Sequence, residues 1–181
     1  MQTSKALACA AAVALPMAFT ALPAQAHDQG SAPTYREPEV AWVHQAKAKG
    51  DRATVLAKYR CWGGNEGTHV WVSLKQGGKI NDYTAQELSQ MEGTSAIARA
   101  WYDTNPPQAD QSTVYLICNG KWQVQKYTLG RVEGKGRLHR GRAFLQFCLF
   151  DSKATEDLTH GFAYEYKFIK VSKKHHHHHW S

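Results

Sequence analysis

The chain has 181 residues, of which 43% are hydrophobic and 20% are charged, and its formal charge is +7. The length corresponds to about one domain, and the composition is that of a folded globular chain, which excludes a wholly disordered one. No apolar run reaches the roughly 18 residues of a membrane-spanning helix, so we predict no membrane span. Four cysteines are too few for a disulfide-dense miniprotein.

Residues 1–26 have the pattern of a secretory signal peptide. Lys5 supplies the positive charge, residues 6–21 are rich in Ala and Leu, and residues 24–26 read Ala-Gln-Ala, a small-x-small cleavage pattern. We therefore predict a bacterial protein that is secreted to the extracellular space, where disulfides form and persist.

Residues 27–53 are predicted to form a flexible lead before a β domain that spans residues 54–172. The lead is polar as far as Pro38. Within Glu39–Lys49, apolar residues recur at helix-like spacing. This segment therefore predicts a short helix, with an extended arm as the alternative.

The β domain is predicted from residues that alternate between apolar and polar. Residues 54–61 and 69–74 alternate on either side of a Gly-rich loop, and residues 162–169 alternate near the end of the domain. Residues 142–151 are apolar on both faces, which is typical of a central strand, and a capping box predicts one or two helical turns over residues 85–91. About seven short strands with one or two short helical segments predict an all-β fold, a single antiparallel β-sandwich that is immunoglobulin-like in architecture.

Asn119-Gly120 lies between two β-rich runs and predicts a two-residue hairpin turn, because a type I′ turn needs positive φ at both central residues. In this register Cys118 pairs with Lys121 and lies on the opposite face from the set that we assign to the core. The predicted core set is Tyr115, Ile117, Trp122 and Val124.

Three cysteines follow the signal peptide: Cys61, Cys118 and Cys148. Three pairings are open to them, and one thiol is left over. We favour a disulfide between Cys61 and Cys148, because the predicted turn already fixes the position of Cys118. The alternative is that all three are small buried hydrophobic residues.

Residues 130–142 form a basic loop between two predicted strands, with five cations and one glutamate. The cations are Arg131, Lys135, Arg137, Arg140 and Arg142. Such a loop suits an anionic polymer of the cell envelope, and the alternative is a solvated loop without a partner. Nucleic acid is an unlikely ligand because no aromatic residues are interleaved with the charges.

Two tryptophans are candidates for an aromatic recognition surface. Trp62 adjoins the Gly-rich loop, and Trp71 lies opposite the predicted core face of its strand. Exposed tryptophans stack on sugar rings or on a partner's surface. The alternative is a core of two layers that covers both residues.

The C-terminal tail, residues 173–181, holds an unbroken run of five histidines. The run is His175, His176, His177, His178 and His179. Neutral imidazoles in such a run bind Ni²⁺, Cu²⁺ or Zn²⁺. The alternative is a purification tag that does not belong to the natural protein.

Residues 151–160 hold the remaining candidates for chemistry, since Asp157 and His160 are close enough in sequence to pair. The chain lacks the familiar hydrolase and phosphate-binding motifs. The sequence therefore predicts a secreted, non-catalytic protein that binds an anionic envelope polymer or a protein partner through the basic loop, without a cofactor. A metal-binding protein that uses the histidine run and a small secreted hydrolase are the alternatives. The oligomeric state is not indicated.

Overall fold

The computed structural model describes residues 35–88 and 93–173. In this part of the chain seven strands form one sheet: β1 Glu39–Lys49, β2 Arg52–Arg60, β3 His69–Gln76, β4 Ala100–Asp103, β5 Gln123–Arg131, β6 Gly141–Phe150 and β7 Phe162–Lys173. Two short helices, α1 Asp82–Leu88 and α2 Gly93–Ile97, lie between β3 and β4, and a 3₁₀ turn spans Gln111–Thr113. No helix among these residues is long and apolar enough to cross a membrane.

The sheet closes into a barrel in the order β1-β2-β5-β4-β3-β6-β7. The all-β fold and its short helices are confirmed, but the immunoglobulin-like sandwich is wrong. The last strand returns to the first and pairs with it in parallel, through Lys47 with Ser172 and Ala48 with Lys173. Alternating residues bury one face of a strand in a barrel as in a sandwich, so the sequence pattern does not distinguish the two.

Glu39–Lys49 is strand β1 rather than a short helix. Its antiparallel pairing with β2 shifts register between Val40 and Trp42 and again between His44 and Lys47. Gln45 has a φ of 60°. Each extra residue interrupts the period of two, and the interrupted pattern resembles the spacing of a helix.

The interior of the barrel is filled by the inward residues of every strand. Tyr59, Tyr102 and Tyr127 are completely buried there. The Tyr102 hydroxyl donates to the carbonyl of Gly50 over 2.7 Å, and the Tyr59 hydroxyl donates to Gln125 Oε1 over 3.0 Å. Buried tyrosines fill the core and still satisfy their hydroxyls at the ends of the barrel.

Strand β6 is buried on both faces, as predicted for a central strand. It lies between β3 and β7 and pairs with both over most of its length. Its outward side chains Phe144, Gln146 and Cys148 are at most 3% exposed. A second buried layer therefore lies outside the barrel, between β6 and the segment that holds the two helices.

Lys75 is the charged residue of this outer layer. It is 1% exposed, and its Nζ donates to Thr94 Oγ1 over 2.9 Å and to Gln146 Oε1. The same Nζ lies 5.4 Å from the ring centroid of Trp71 and 5.3 Å from that of Trp101. Two aromatic rings and two polar acceptors thus surround the buried ammonium group.

The hairpin predicted at Asn119-Gly120 does not form, because β5 begins at Gln123 and pairs with β2 and β4. The segment 114–118 instead covers one end of the barrel, where Val114, Leu116 and Cys118 are buried. The side chains predicted for the core are exposed there. Their exposed fractions are 67% for Tyr115, 47% for Ile117, 40% for Trp122 and 58% for Val124. Buried and exposed residues do alternate along this segment, but the buried residues are those on the face opposite to the predicted core face.

Candidate functional site

The outer face of β1, β2 and β5 carries a group of cations and tryptophans that we name the cationic–aromatic face. On β2 the outward residues are Lys58 and Arg60, and Trp62 continues the same alternation beyond the strand. Register places Trp42 opposite Lys58 and Lys58 opposite Val124. The face comprises Arg36, Trp42, Lys58, Arg60, Trp62, Trp122, Val124 and Lys126.

Cations and indole rings alternate within this face. The guanidinium carbon of Arg60 lies 5.0 Å from the ring centroid of Trp62 and 4.5 Å from that of Trp122. Arg36 lies 5.9 Å from the Trp62 ring, and Lys58 Nζ lies 5.4 Å from the Trp122 ring. All of these distances are within the range of cation–π attraction, so two tryptophans hold three cations.

Arg60 is held in place by an ion pair. Its Nη2 lies 2.7 Å and 2.9 Å from the two carboxylate oxygens of Glu39, which faces it across the β1–β2 ladder. An ion pair that is partly exposed adds little to stability. Its effect here is to fix the orientation of Arg60 between the two rings.

The face has a strong excess of positive charge. Arg36, Lys58, Arg60 and Lys126 carry four positive charges, and the described ion pairs of this group include one carboxylate, Glu39. Trp122 is 40% exposed, although cations lie near its ring. An aromatic surface with a net positive potential attracts anions from solution and also offers rings for contact.

A disulfide between Cys61 and Cys118 fixes the end of the barrel beside this face. Gly120 N donates to Cys61 O over 2.8 Å, so a hydrogen bond also joins the two segments that the disulfide links. Gly120 has a φ of +75°, and a Cβ there would lie 2.8 Å from Trp62 Nε1. The glycine thus permits the close approach that seats the Trp62 ring.

The disulfide predicted between Cys61 and Cys148 is therefore wrong. In either direction around the barrel, at least two strands lie between β2 and β6. Strands are about 4.8 Å apart, whereas a disulfide needs Cα atoms within about 7 Å. Cys148 faces the outer layer, 2% exposed, with its Sγ 3.1 Å from the Tyr166 hydroxyl.

The basic loop makes most of its contacts within the chain. Arg131 Nε and Arg137 Nε lie 2.9 Å and 3.1 Å from Asp51 Oδ1. Hydrogen bonds from these two guanidinium groups lower the pKa of the Asp51 carboxyl. Lys135 Nζ donates to the carbonyls of Ser95 and Ala98 over 3.0 Å and 3.1 Å.

The last two cations of the loop differ from each other. Arg142 pairs with Asp82 of α1, and its guanidinium carbon lies 3.7 Å from the Phe168 ring centroid. Arg140 is exposed. Four of the five predicted anion-binding residues thus join the loop to α1, α2 or Asp51. The loop crosses from β5 to β6 past the ends of β4 and β3, and it holds that end of the barrel together.

The two predicted aromatic surface residues lie in different places. Trp62 belongs to the cationic–aromatic face. Trp71 is half-buried in the outer layer beside Lys75, which is the alternative arrangement of a core with two layers. The structure therefore does not bring the two tryptophans into one surface.

The residues considered for a hydrolase do not form the predicted pair. Asp157 accepts hydrogen bonds from Thr155 and Thr159, and these bonds lower the pKa of its carboxyl to about 2. His160 Nδ1 lies 2.5 Å from Glu37 Oε1 instead. The polar side chains of this loop hold its own turns and the segment that precedes β1.

The predicted metal ligands, His175 to His179, lie outside the described residues. Among residues 35–88 and 93–173, no three His, Cys, Asp or Glu side chains are grouped so that they could hold a metal ion.

Sequence reasoning missed Lys58, Arg60 and Trp122. A local signal was present for the first two, because Lys58, Arg60 and Trp62 alternate with Ala57, Tyr59 and Cys61 and so share the outward face. Trp122 joins them only because β5 pairs with β2, which is a long-range contact without a local signature.

No family model, no curated protein and no solved structure matches this chain. Its function is therefore inferred from the geometry and the charge of its own residues.

Proposed function

We propose that this protein is a non-catalytic binding protein that acts outside the cell and holds an anionic polymer of the cell envelope on its cationic–aromatic face. The observation that carries the proposal is the alternation of three cations with two tryptophan rings, countered by Glu39 alone among the ion pairs described for this group.

A polymer with repeated charges suits this face better than a single small anion. Lys58 and Arg60 follow one another along β2, Trp62 comes just after the end of that strand, and Lys126 lies on the outward side of the neighbouring strand β5. A row of cations attracts a chain of anions by a summed potential, so the binding depends steeply on salt. Aromatic rings beside the charges add contacts that salt does not screen.

The basic loop is a weaker candidate for the same role. Its guanidinium groups at Arg131, Arg137 and Arg142 are already paired with carboxylates of the chain. Binding of a polymer there would have to replace these pairs. The cationic–aromatic face instead holds most of its cations on rings, and a cation over a ring can still attract an anion.

Two features support a location outside the cell. Residues 1–26 have the signal-peptide pattern, and the disulfide between Cys61 and Cys118 is compatible with an oxidising compartment. The envelope polymers of bacteria that carry phosphate or carboxylate groups are found in that compartment.

The test compares two double variants with the same change of net charge. Lys58→Glu/Lys126→Glu reverses two charges on the face, and Arg140→Glu/Lys79→Glu reverses two exposed charges elsewhere. The probe is purified poly(glycerol phosphate) wall polymer, with binding measured between about 50 and 300 mM NaCl. We expect the affinity of the unmodified protein to fall steeply with salt and the face variant to bind at least about tenfold more weakly.

The control variant should lose less than about threefold in affinity. Equal losses in the two variants would show that only net charge matters and would refute a defined face. Absence of binding by the unmodified protein, or binding that does not depend on salt, would refute the proposed function.

A further inference from the structure

A cleft of about 440 Å³ lies between α1 and the outer side of β6 and β7. It is on a different part of the barrel from the cationic–aromatic face, because β6 and β7 do not contribute to that face. Asp82, Gln86, Arg142, Phe144, Tyr166 and Phe168 are among its lining residues. Its volume is within the range of pockets that bind small ligands.

The floor of the cleft is aromatic. Phe144 and Tyr166 have ring centroids 6.5 Å apart, and Phe144 and Phe168 have centroids 5.3 Å apart. Phe144 is buried, whereas Tyr166 and Phe168 are partly exposed. Because Arg142 lies over the Phe168 ring, Tyr166 is the ring best placed to contact a ligand.

The aromatic surface continues along β7 beyond the cleft. Tyr164 has its ring centroid 5.8 Å from that of Tyr166, and it is 40% exposed. Phe162 follows at 5.9 Å from Tyr164, with the two rings almost parallel at 5°. Alternate residues of one strand thus present three successive rings on its outer side, as the pleat of a strand requires.

The rim of the cleft is polar but nearly neutral. Asp82 forms an ion pair with Arg142, and Lys167, which also lines the cleft, forms one with Glu165 over 2.8 Å, so each charge at the rim has a partner of opposite sign. Gln86 of α1 adds an amide group at the same side. The polar groups therefore offer donors and acceptors of hydrogen bonds without an excess of either charge.

We propose that this cleft binds a pyranose unit of a neutral glycan, with further units of the same chain extending over Tyr164 and Phe162. One face of a pyranose ring consists of C–H bonds, whose partial positive charge suits the negative face of an aromatic ring. The hydroxyls around the sugar suit a carboxylate, a guanidinium and an amide, which all accept or donate in fixed planes.

The paired charges and the polar groups of the rim favour this ligand over a charged or an apolar one. A charged ligand would break the Asp82–Arg142 pair or remain unpaired beside it. An apolar ligand would bury the polar rim, remove the hydrogen bonds that the rim groups form with water, and offer none in their place. A neutral ligand with many hydroxyls meets the aromatic floor and the polar rim together.

The test uses isothermal titration calorimetry with cello-oligosaccharides, N-acetylglucosamine oligomers and malto-oligosaccharides of two to six units. We expect at least one series to bind, and its affinity to increase from two to four units as the chain reaches Tyr164. Tyr166→Ala should weaken binding about tenfold, while Tyr166→Phe should retain it, since the ring and not the hydroxyl makes the contact.

Two further variants keep the test decisive. Tyr164→Ala removes an exposed ring, so it reports on the glycan even if Tyr166→Ala does not fold. Tyr83→Ala is the matched control, because Tyr83 is 72% exposed on α1 and does not line the cleft. We expect Tyr164→Ala to abolish the gain from longer chains and Tyr83→Ala to bind as the unmodified protein does.

Absence of binding by all three series at millimolar concentration would overturn the proposal. So would unchanged affinity in both Tyr164→Ala and Tyr166→Ala, or an equal loss in Tyr83→Ala. The Lys58→Glu/Lys126→Glu variant should bind oligosaccharides normally, so failure of this site and failure of the polyanion face are distinguishable.

Discussion

The disulfide between Cys61 and Cys118 closes a loop with a sequence separation of 57 residues. That loop contains β3, β4 and both short helices, so the disulfide restrains much of the unfolded chain. For a loop of this length, the restriction of chain entropy corresponds to about 4 kcal/mol at 25 °C. The double variant Cys61→Ala/Cys118→Ala should therefore lower the free energy of unfolding by about this amount.

The assay is urea unfolding followed by tryptophan fluorescence and by circular dichroism. With a slope of about 2 kcal/mol per molar urea, a loss of 4 kcal/mol moves the midpoint by about 2 M. Cys148→Ala is the matched control, since it removes a buried thiol without opening a loop. It should cost only about 1 kcal/mol, from the small cavity that it leaves.

A second readout tests the pairing directly. Alkylation in denaturant without reductant should label Cys148 and neither Cys61 nor Cys118, as read by mass spectrometry of peptides. The reasoning is refuted if the double variant unfolds within about 0.5 M urea of the unmodified protein. It is equally refuted if Cys148→Ala loses as much stability as the double variant.

Two further predictions concern a buried acid and a glycine with positive φ. Burial raises the pKa of Asp103 from 3.8 to about 6. The folded protein thus holds this proton to higher pH than the unfolded chain does, and the stability from that group is present below pH 4 and lost as the pH rises through 6. In urea unfolding between pH 4 and 7, Asp103→Asn should remove up to about 3 kcal/mol of that pH dependence, and an unchanged slope would contradict the assignment. Gly161 has a φ of +82°, and a Cβ there would overlap the backbone of Ala154, whereas Gly134, with a φ of +73°, has nothing within 4 Å of such a Cβ. Thermal unfolding should show a loss of at least about 3 kcal/mol for Gly161→Ala and about 1 kcal/mol for Gly134→Ala, and equal losses would mean that the overlap relaxes.

The strands with an uninterrupted period of two were predicted well from the sequence. Residues 69–74 and 162–169 lie within β3 and β7, and residues 142–151 match β6 to within one residue at each end. In each case, one face or both faces are buried, so hydrophobicity alone determines the position of the strand. The hydrophobic pattern is thus sufficient to locate a strand whose pairing is not interrupted by a bulge.

The errors arise where long-range contacts override the local pattern. The bulges of β1 hide its alternation, and the disulfide at Cys118 draws that residue inward, which turns Tyr115 and Ile117 outward. The larger apolar residues would otherwise be the natural core set. One disulfide to a residue 57 positions away in the chain thus decides which set of alternate residues in this segment is buried.

The candidate sites were less predictable than the fold for the same reason. Charge density along the chain pointed to the loop 130–142, but Asp51 and Asp82 are brought to that loop only by folding. Conversely, Trp122 reaches Arg60 through the pairing of β2 with β5. Local charge is therefore a poor guide to surface potential in a barrel where β2 pairs with β5 and β3 pairs with β6, strands that are distant in the chain.

The junction of β1 and β7 has a consequence for how the barrel opens. In the described residues these strands share two residue pairs, both at their C-terminal ends, whereas β7 pairs with β6 along ten residues. We therefore expect amide hydrogens of β7 that point toward β1 to exchange with solvent earlier than those that point toward β6. We expect the closed sheet to open first at this junction, and each opening would expose the edges of β1 and β7 to pairing with another chain.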